Sequence, residues 1–221
     1  IIKPNKYERN YHIFYLILKG LSDKEKKNYK FRDFKEYNYL NNEYIKRDDN
    51  ISDSDEFIKF IHSLKILNFK EKEILEIFKL LSSILLLGQL KIKKISLEDF
   101  NIIENSDFID LMDLLGIDKN IFLDSLYFRI VKTKNKIYKI KISLNNLEYT
   151  IHGLAKSLYA GLFDWIVWRI NNELKSEKSK NNKFIGILDI FGFEVFKKNC
   201  FEQLCINYTN EVLQNQFNSY V

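Results

Sequence analysis

Phe184-Ile-Gly-Ile-Leu-Asp189-Ile-Phe-Gly192-Phe-Glu194 is the stretch whose reading decides the fold. Four of its first five residues are apolar, with Gly186 between them. So short an apolar run predicts a strand over about 184–190, covered on both faces as in a parallel sheet between helices. Asp189 stands at its carboxyl end, where open α/β sheets bind ligands. A carboxylate there suits Mg²⁺, a hard cation that takes oxygen ligands and keeps part of its water shell. Gly192, three residues on, can bring a bare backbone N–H against a terminal phosphate. The same residues also fit a buried strand ending in a solvated turn, because Asp-x-x-Gly alone is a short and common motif.

The residues that follow narrow the choice. Asn199-Cys-Phe-Glu202 has the spacing of a capping box at the start of a helix. Apolar residues then recur at Phe201, Leu204, Cys205, Tyr208, Leu213, Phe217 and Tyr220, which is helical spacing on one face. The pattern reaches Val221 without a Gly, Pro or capping signal, so the natural polypeptide is expected to continue.

Ile187-Leu-Asp-Ile-Phe-Gly-Phe-Glu194, with Phe201-Glu-Gln-Leu-Cys-Ile-Asn-Tyr208 and Asn210-Glu211, resembles switch II and the start of the relay helix of a myosin motor domain. Cys200 stands where that family usually has Ser, and Val212 where it often has Lys. Upstream, Glu8-Arg-Asn-Tyr-His-Ile-Phe-Tyr15 resembles the myosin helix after switch I. Leu154-Ala-Lys-Ser-Leu-Tyr-Ala-Gly-Leu-Phe-Asp-Trp-Ile-Val167, continuing to Asn171, resembles the long helix ahead of switch II. Ile84 to Ile92 resembles a helix-to-strand turn of the family, with Leu86 and Gln89 in place of the usual His and Asn.

The resemblance implies an α/β fold, a mostly helical segment of a P-loop NTPase-type motor. Within residues 1–221 it implies an upper 50 kDa-like helical region over 7–182, the switch II strand and loop over 184–196, and the relay helix from 199. It implies ATP and Mg²⁺ as cofactors. Asp189 would help hold Mg²⁺ through water, and Gly192 would donate its N–H to the γ-phosphate. Glu194 would pair with a switch I arginine and help position the attacking water. Filamentous actin and light chains are the implied partners, both through regions outside this segment, and the implied location is the cytoplasmic cytoskeleton. No Gly-Lys dipeptide occurs, so the phosphate-cradling loop is absent, and the Asn/Ser/Arg-rich switch I would lie ahead of Ile1. The segment alone is expected to be inactive. A catalytically degenerate myosin-like scaffold, or another P-loop NTPase sharing Asp-x-x-Gly, is the alternative.

Composition agrees with a packed chain. Hydrophobic residues make up 46% and aromatics 15%, too many for a disordered segment. The net charge of +5 is too small to argue for nucleic acid or an anionic membrane. Cys200 and Cys205 point in different directions on one expected helix, so neither a mutual disulfide nor a zinc site is expected. The densest apolar run, Ser82 to Gly88, is far below membrane-spanning length, and Ile1 to Lys6 lacks the apolar core of a signal peptide. A soluble, cytosolic chain is expected.

In order along the chain, Arg9 to Lys19 predicts a helix with Tyr11, Phe14, Tyr15 and Leu18 on one face and Gly20 as its stop. Ser22-Asp-Lys-Glu25 is a capping box. A helix starting at Asp53 or Ser54 carries Phe57, Ile58, Ile61, Leu64 and Ile66, and another spans Lys70 to Leu87. Asp107 to Leu115 ends at Gly116, and Asp118 caps a helix to Leu126. Phe128 to Lys132 and Lys136 to Ile142 predict a hairpin. His12 is read as structural, and His152 is assigned no role.

Overall fold

Several helices begin at residues whose side chains cap them, and one ends at a left-handed glycine. The computed structural model describes residues 9–40, 51–96, 99–133, 136–175 and 185–220. The chain divides into two units, 1–175 and 176–221. In the first, α1 (His12–Gly20) buries Phe14, Tyr15, Ile17 and Leu18. Ser22 and Glu25 form the expected reciprocal box at the start of α2 (Asp23–Asn28). After a 3₁₀ turn at Phe34–Glu36, Tyr37, Tyr39 and Leu40 are buried. The aromatic run there belongs to the core.

α3 (Asp53–Ile66) packs on α1. Gly20 permits this approach: a Cβ on it would stand 2.1 Å from the Phe57 ring. Asp53 forms a buried ion pair with Arg9 at 2.8 Å, and the Arg9 guanidinium lies 4.1 Å from the centre of the Tyr15 ring. α4 (Glu71–Leu87) is the centre of the unit, with Ile84 to Leu87 buried on every side and Gly88 as its C-cap. It packs against α5 (Ser106–Leu115) and α7 (Leu144–Glu173). Between α4 and α5 lies a small antiparallel pair, β1 (Ile92–Lys94) and β2 (Phe100–Ile102).

Gly116 ends α5 in the left-handed region, φ 61°, where glycine carries no Cβ penalty. Asp118 caps α6 (Lys119–Tyr127), accepting from Asn120 and Ile121 N–H. The expected hairpin forms as β3 (Phe128–Lys132) and β4 (Ile137–Lys141), with Phe128 opposite Lys141 and Lys132 opposite Ile137. α7 starts ten residues ahead of the Leu154 read from the sequence, at Leu144, because Ser143 caps it. Leu147, Ile151, Ala155 and Leu162 form its buried stripe, while Leu154, Leu158, Trp165, Ile166 and Ile170 flank it.

Several expectations are corrected. Tyr11, Ile58 and Ile66 lie outside the core, at 47%, 66% and 66% exposure. On α3 the buried stripe runs through Asp53, Phe57 and Leu64, and a residue one step from Phe57 is turned about 100° away. The strand over 184–190 is not formed by the described residues. Residues 185–190 have no strand partner and are exposed, Ile185 at 96% and Ile187 at 93%. A parallel strand exists only through hydrogen bonds to strands remote in sequence, and the sheets among the described residues are two antiparallel pairs. Among the described residues the architecture is therefore mostly helical, without the parallel sheet of an α/β fold. Tyr7, Glu8, the loop at 46–50, Lys134, Phe184 and Val221 lie outside the described residues.

Candidate functional site

The second unit holds the three residues singled out by the sequence, Asp189, Gly192 and Glu194, on a loop that runs into α8 (Phe201–Tyr220). The loop has no regular hydrogen-bonding pattern of its own, so its backbone groups need other partners. Side chains on one face of α8 supply them. Glu194 N–H donates to Asn207 Oδ1 at 2.8 Å, and Asn207 Nδ2 donates back to the Glu194 carbonyl at 2.8 Å. A side-chain amide here imitates a neighbouring strand, offering one acceptor and one donor to a single residue. Asn210 Nδ2 donates to the Phe191 carbonyl at 2.8 Å and to the Ile206 carbonyl at 2.9 Å.

The carboxylate of Glu194 is half-buried and accepts from Gln203 Nε2 at 3.3 Å through Oε2. Its Oε1 has no hydrogen-bond partner among the described residues, so the group keeps acceptor capacity for a cation. Gln203, Asn207 and Asn210 are spaced by four and three residues, which places them on one face of the helix. They are the residues that sequence reading missed as site residues. Three amides at helical spacing follow the motif in the sequence, but only the helix sets them on one face against the loop.

Asp189 and Gly192 are exposed. A Cβ built on Gly192 would meet nothing within 4 Å, so a ligand can reach its backbone unobstructed. Asp189 enters no ion pair among the described residues, and no group of three or more His, Cys, Asp or Glu gathers there to enclose a metal ion. One free carboxylate beside open solvent fits Mg²⁺ held through water with phosphate oxygens completing its shell. It does not fit a cage built from protein ligands. α8 thus holds the loop at Phe191 and Glu194, on either side of Gly192, and leaves Asp189 at its outer end.

The helix start differs from the expected capping box. Asn199 folds back, accepting from Phe196 N–H at 2.9 Å and donating to its carbonyl at 3.0 Å. Gln203 Oε1 instead accepts from Cys200 N–H at 2.9 Å, so the cap is one residue later and uses Gln203 where Glu202 was expected. Cys200 and Cys205 are both free and exposed. In the first unit, the Tyr39 hydroxyl pairs with His152 Nδ1 at 2.8 Å. Burial pushes Tyr39 up to about 12 and lowers His152 from its ordinary value. That pair joins α7 to the buried aromatic segment.

The sequence matches the myosin head (motor domain) family over residues 1–221. It is 38% identical over 218 residues to the Myosin-I heavy chain of Dictyostelium discoideum, covering 97% of this chain and 9% of that protein. To Myosin-52 of Schizosaccharomyces pombe it is 37% identical over 228 residues, 100% of this chain and 15% of the relative. To Unconventional myosin-Ib of Homo sapiens it is 33% identical over 222 residues, 98% of this chain and 20% of the relative.

Proposed function

The chain belongs to the myosin head (motor domain) family, and on that premise we propose that it is the phosphate-sensing segment of an actin-based, ATP-driven motor. It spans 9–20% of the length of the relatives just described, so actin, ATP turnover and light chains concern the parent polypeptide. The observation that carries the reading is the grip of α8 on the loop: Asn207 holds Glu194 and Asn210 holds Phe191. Any ligand that moves the backbone around Gly192 must therefore move the helix with it.

In this proposal residues 184–196 act as switch II and residues from 199 as the relay helix, with 7–182 as the upper 50 kDa-like region. The parent has the α/β, P-loop type of architecture. Mg·ATP, when bound, supplies the phosphoryl group that is transferred to water. Asp189 would hold the Mg²⁺ through water, and the Gly192 N–H would donate to the terminal phosphate. Glu194 would use its unpartnered Oε1 to meet an arginine of switch I, closing the site around the attacking water. Positioning and charge stabilisation of this kind account for most of phosphoryl-transfer catalysis, so closure gates hydrolysis. Ordering of a loop by the γ-phosphate is an established mode of switching.

The test is Gly192→Ala in the parent motor. ATP binding should persist while hydrolysis or phosphate release is impaired, and normal actin-activated turnover would refute the switch assignment. A catalytically degenerate scaffold is the competing reading, and failure of the unmodified parent to bind a fluorescent ATP analogue would establish it.

A further inference from the structure

We infer that Gln203 is a positioning residue for Glu194: its amide holds one carboxylate oxygen and thereby presents the other, Oε1, to a cationic partner. The inference rests on the switch II reading above and gives Gln203 a role which that reading leaves open. Gln203 is the third residue of α8, and Cys200 is the residue just ahead of the helix. The Cys200 N–H is among the donors that a helix start leaves without an intrahelical acceptor. Gln203 Oε1 accepts from it at 2.9 Å, the reach of a capping-box residue three positions on. The Cys200 thiol donates to the same oxygen at 3.0 Å.

These two donors decide which way the amide points. A backbone N–H can only donate, so the Gln203 oxygen must face Cys200 and the NH₂ must face away from it. What the NH₂ meets is Glu194 Oε2, at 3.3 Å. An ionised carboxylate can only accept, so this is the end of the amide that it can use. Asn207, one turn further along the same face, holds the Glu194 main chain through two bonds of 2.8 Å. Main chain and carboxylate are thus tied to one helix, and Oε1 is the acceptor left over. Among the described residues Glu194 enters no ion pair, and the charges close by in sequence, Lys197, Lys198 and Glu202, bond to neither Glu194 nor Gln203.

Gln203→Glu separates positioning of the carboxylate from support of the helix. The new side chain keeps an acceptor for the Cys200 N–H but sets a carboxylate against Glu194 where a donor stood. Two carboxylates at one site resist ionising together, so the pair takes up a proton at a higher pH than a lone carboxyl does, and that proton restores the hydrogen bond. The experiment compares the variant with the unmodified parent motor in two measurements: amide exchange at Cys200 without nucleotide, and the rate of the hydrolysis burst from about pH 8 to about pH 6. Protection at Cys200 should be unchanged. The burst should be about tenfold slower near pH 8, the effect of losing one hydrogen bond to a charged group, and should recover towards the unmodified rate near pH 6. Gln214→Glu, the same change further along α8, should show no such pH dependence. A burst ratio that does not vary with pH, whether normal or uniformly low, would overturn the inference, as would faster exchange at Cys200 or an equal pH dependence in Gln214→Glu. Each of these leaves the switch assignment standing, since that falls with normal turnover in Gly192→Ala, whereas an unmodified parent without a burst would overturn both.

Discussion

Replacing Asn207 tests the coupling on which the proposed function depends. Asn207→Ala removes both the acceptor for the Glu194 N–H and the donor to its carbonyl, each at 2.8 Å. Neutral hydrogen bonds contribute about 1 kcal/mol each. The two together are worth about 2 kcal/mol, or roughly 30-fold in the equilibrium between gripped and released loop. Asn207→Asp keeps an acceptor and loses the donor, so about 1 kcal/mol and roughly fivefold are expected. The assay is amide hydrogen exchange in the parent motor, read at Glu194, whose protection reports local opening directly. Exchange should accelerate in the order Asn207→Ala, Asn207→Asp, unmodified, with the hydrolysis burst falling in the same order. Asn210→Ala serves as the control, since it releases Phe191 and leaves the Glu194 amide bonded. Exchange at Glu194 within twofold of the unmodified motor in Asn207→Ala would refute the grip.

Three other perturbations probe the first unit. Gly20→Ala places a Cβ 2.1 Å from the Phe57 ring and 2.5 Å from the Phe57 Cβ. The α1–α3 contact must then open, at about 1–3 kcal/mol or roughly 2–12 °C in Tm. Alanine's better helix propensity acts in the opposite direction, so an unchanged Tm would show that the contact is looser than described. Tyr39→Phe leaves His152 Nδ1 without its partner at 2.8 Å, and a loss of about 1 kcal/mol is expected in urea unfolding. A midpoint equal to the unmodified value would show that water replaces the hydroxyl. His152 is lowered mainly by desolvation, so below its unfolded value of about 6.5 the unfolded chain binds the proton more readily. Its contribution is present above that pH and is lost as pH falls towards the folded value. Stability curves should therefore decline on acidification through this window, less steeply in His152→Gln. Identical slopes would contradict the burial argument.

How far the sequence could be read depended on whether an element is built from near or distant residues. Ser22 with Glu25, Asp118, Gly88 and Gly116 each set a helix end through atoms within four residues, and the structure places all of them as read. The hairpin at 128–142 was legible for the same reason, since its strands alternate across a short turn. Asn199 misled because two local partners compete for one side chain: it turned back to Phe196, and Gln203 took the cap. The early start of α7 was missed because Leu147 and Ile151 continue its stripe through a polar stretch, Asn145 to Thr150, that breaks the pattern by eye. The strand expected over 184–190 is the largest difference, since residues 185–190 pair with no strand among the described residues. Four apolar residues around Gly186 describe what a central strand needs, and no local signal reports whether neighbouring strands are there to pair with it. Site residues followed the same rule. The Asp189–Glu194 loop was visible as a motif, whereas the amides gripping it became visible only once α8 set their common face.

The position of Asn207 along α8 has a mechanical corollary. At about 1.5 Å per residue, Asn207 lies roughly 9 Å from Phe201, and Tyr220 roughly 28 Å. In the proposed relay, with the first turn taken as the pivot, the helix would be a rod driven at one third of its length. A displacement at the grip would then be magnified about threefold at Tyr220. Moving the attachment one turn towards Phe201 would raise the gain and demand more force. One turn towards Tyr220 would lower both, so the choice of residue fixes a gear ratio.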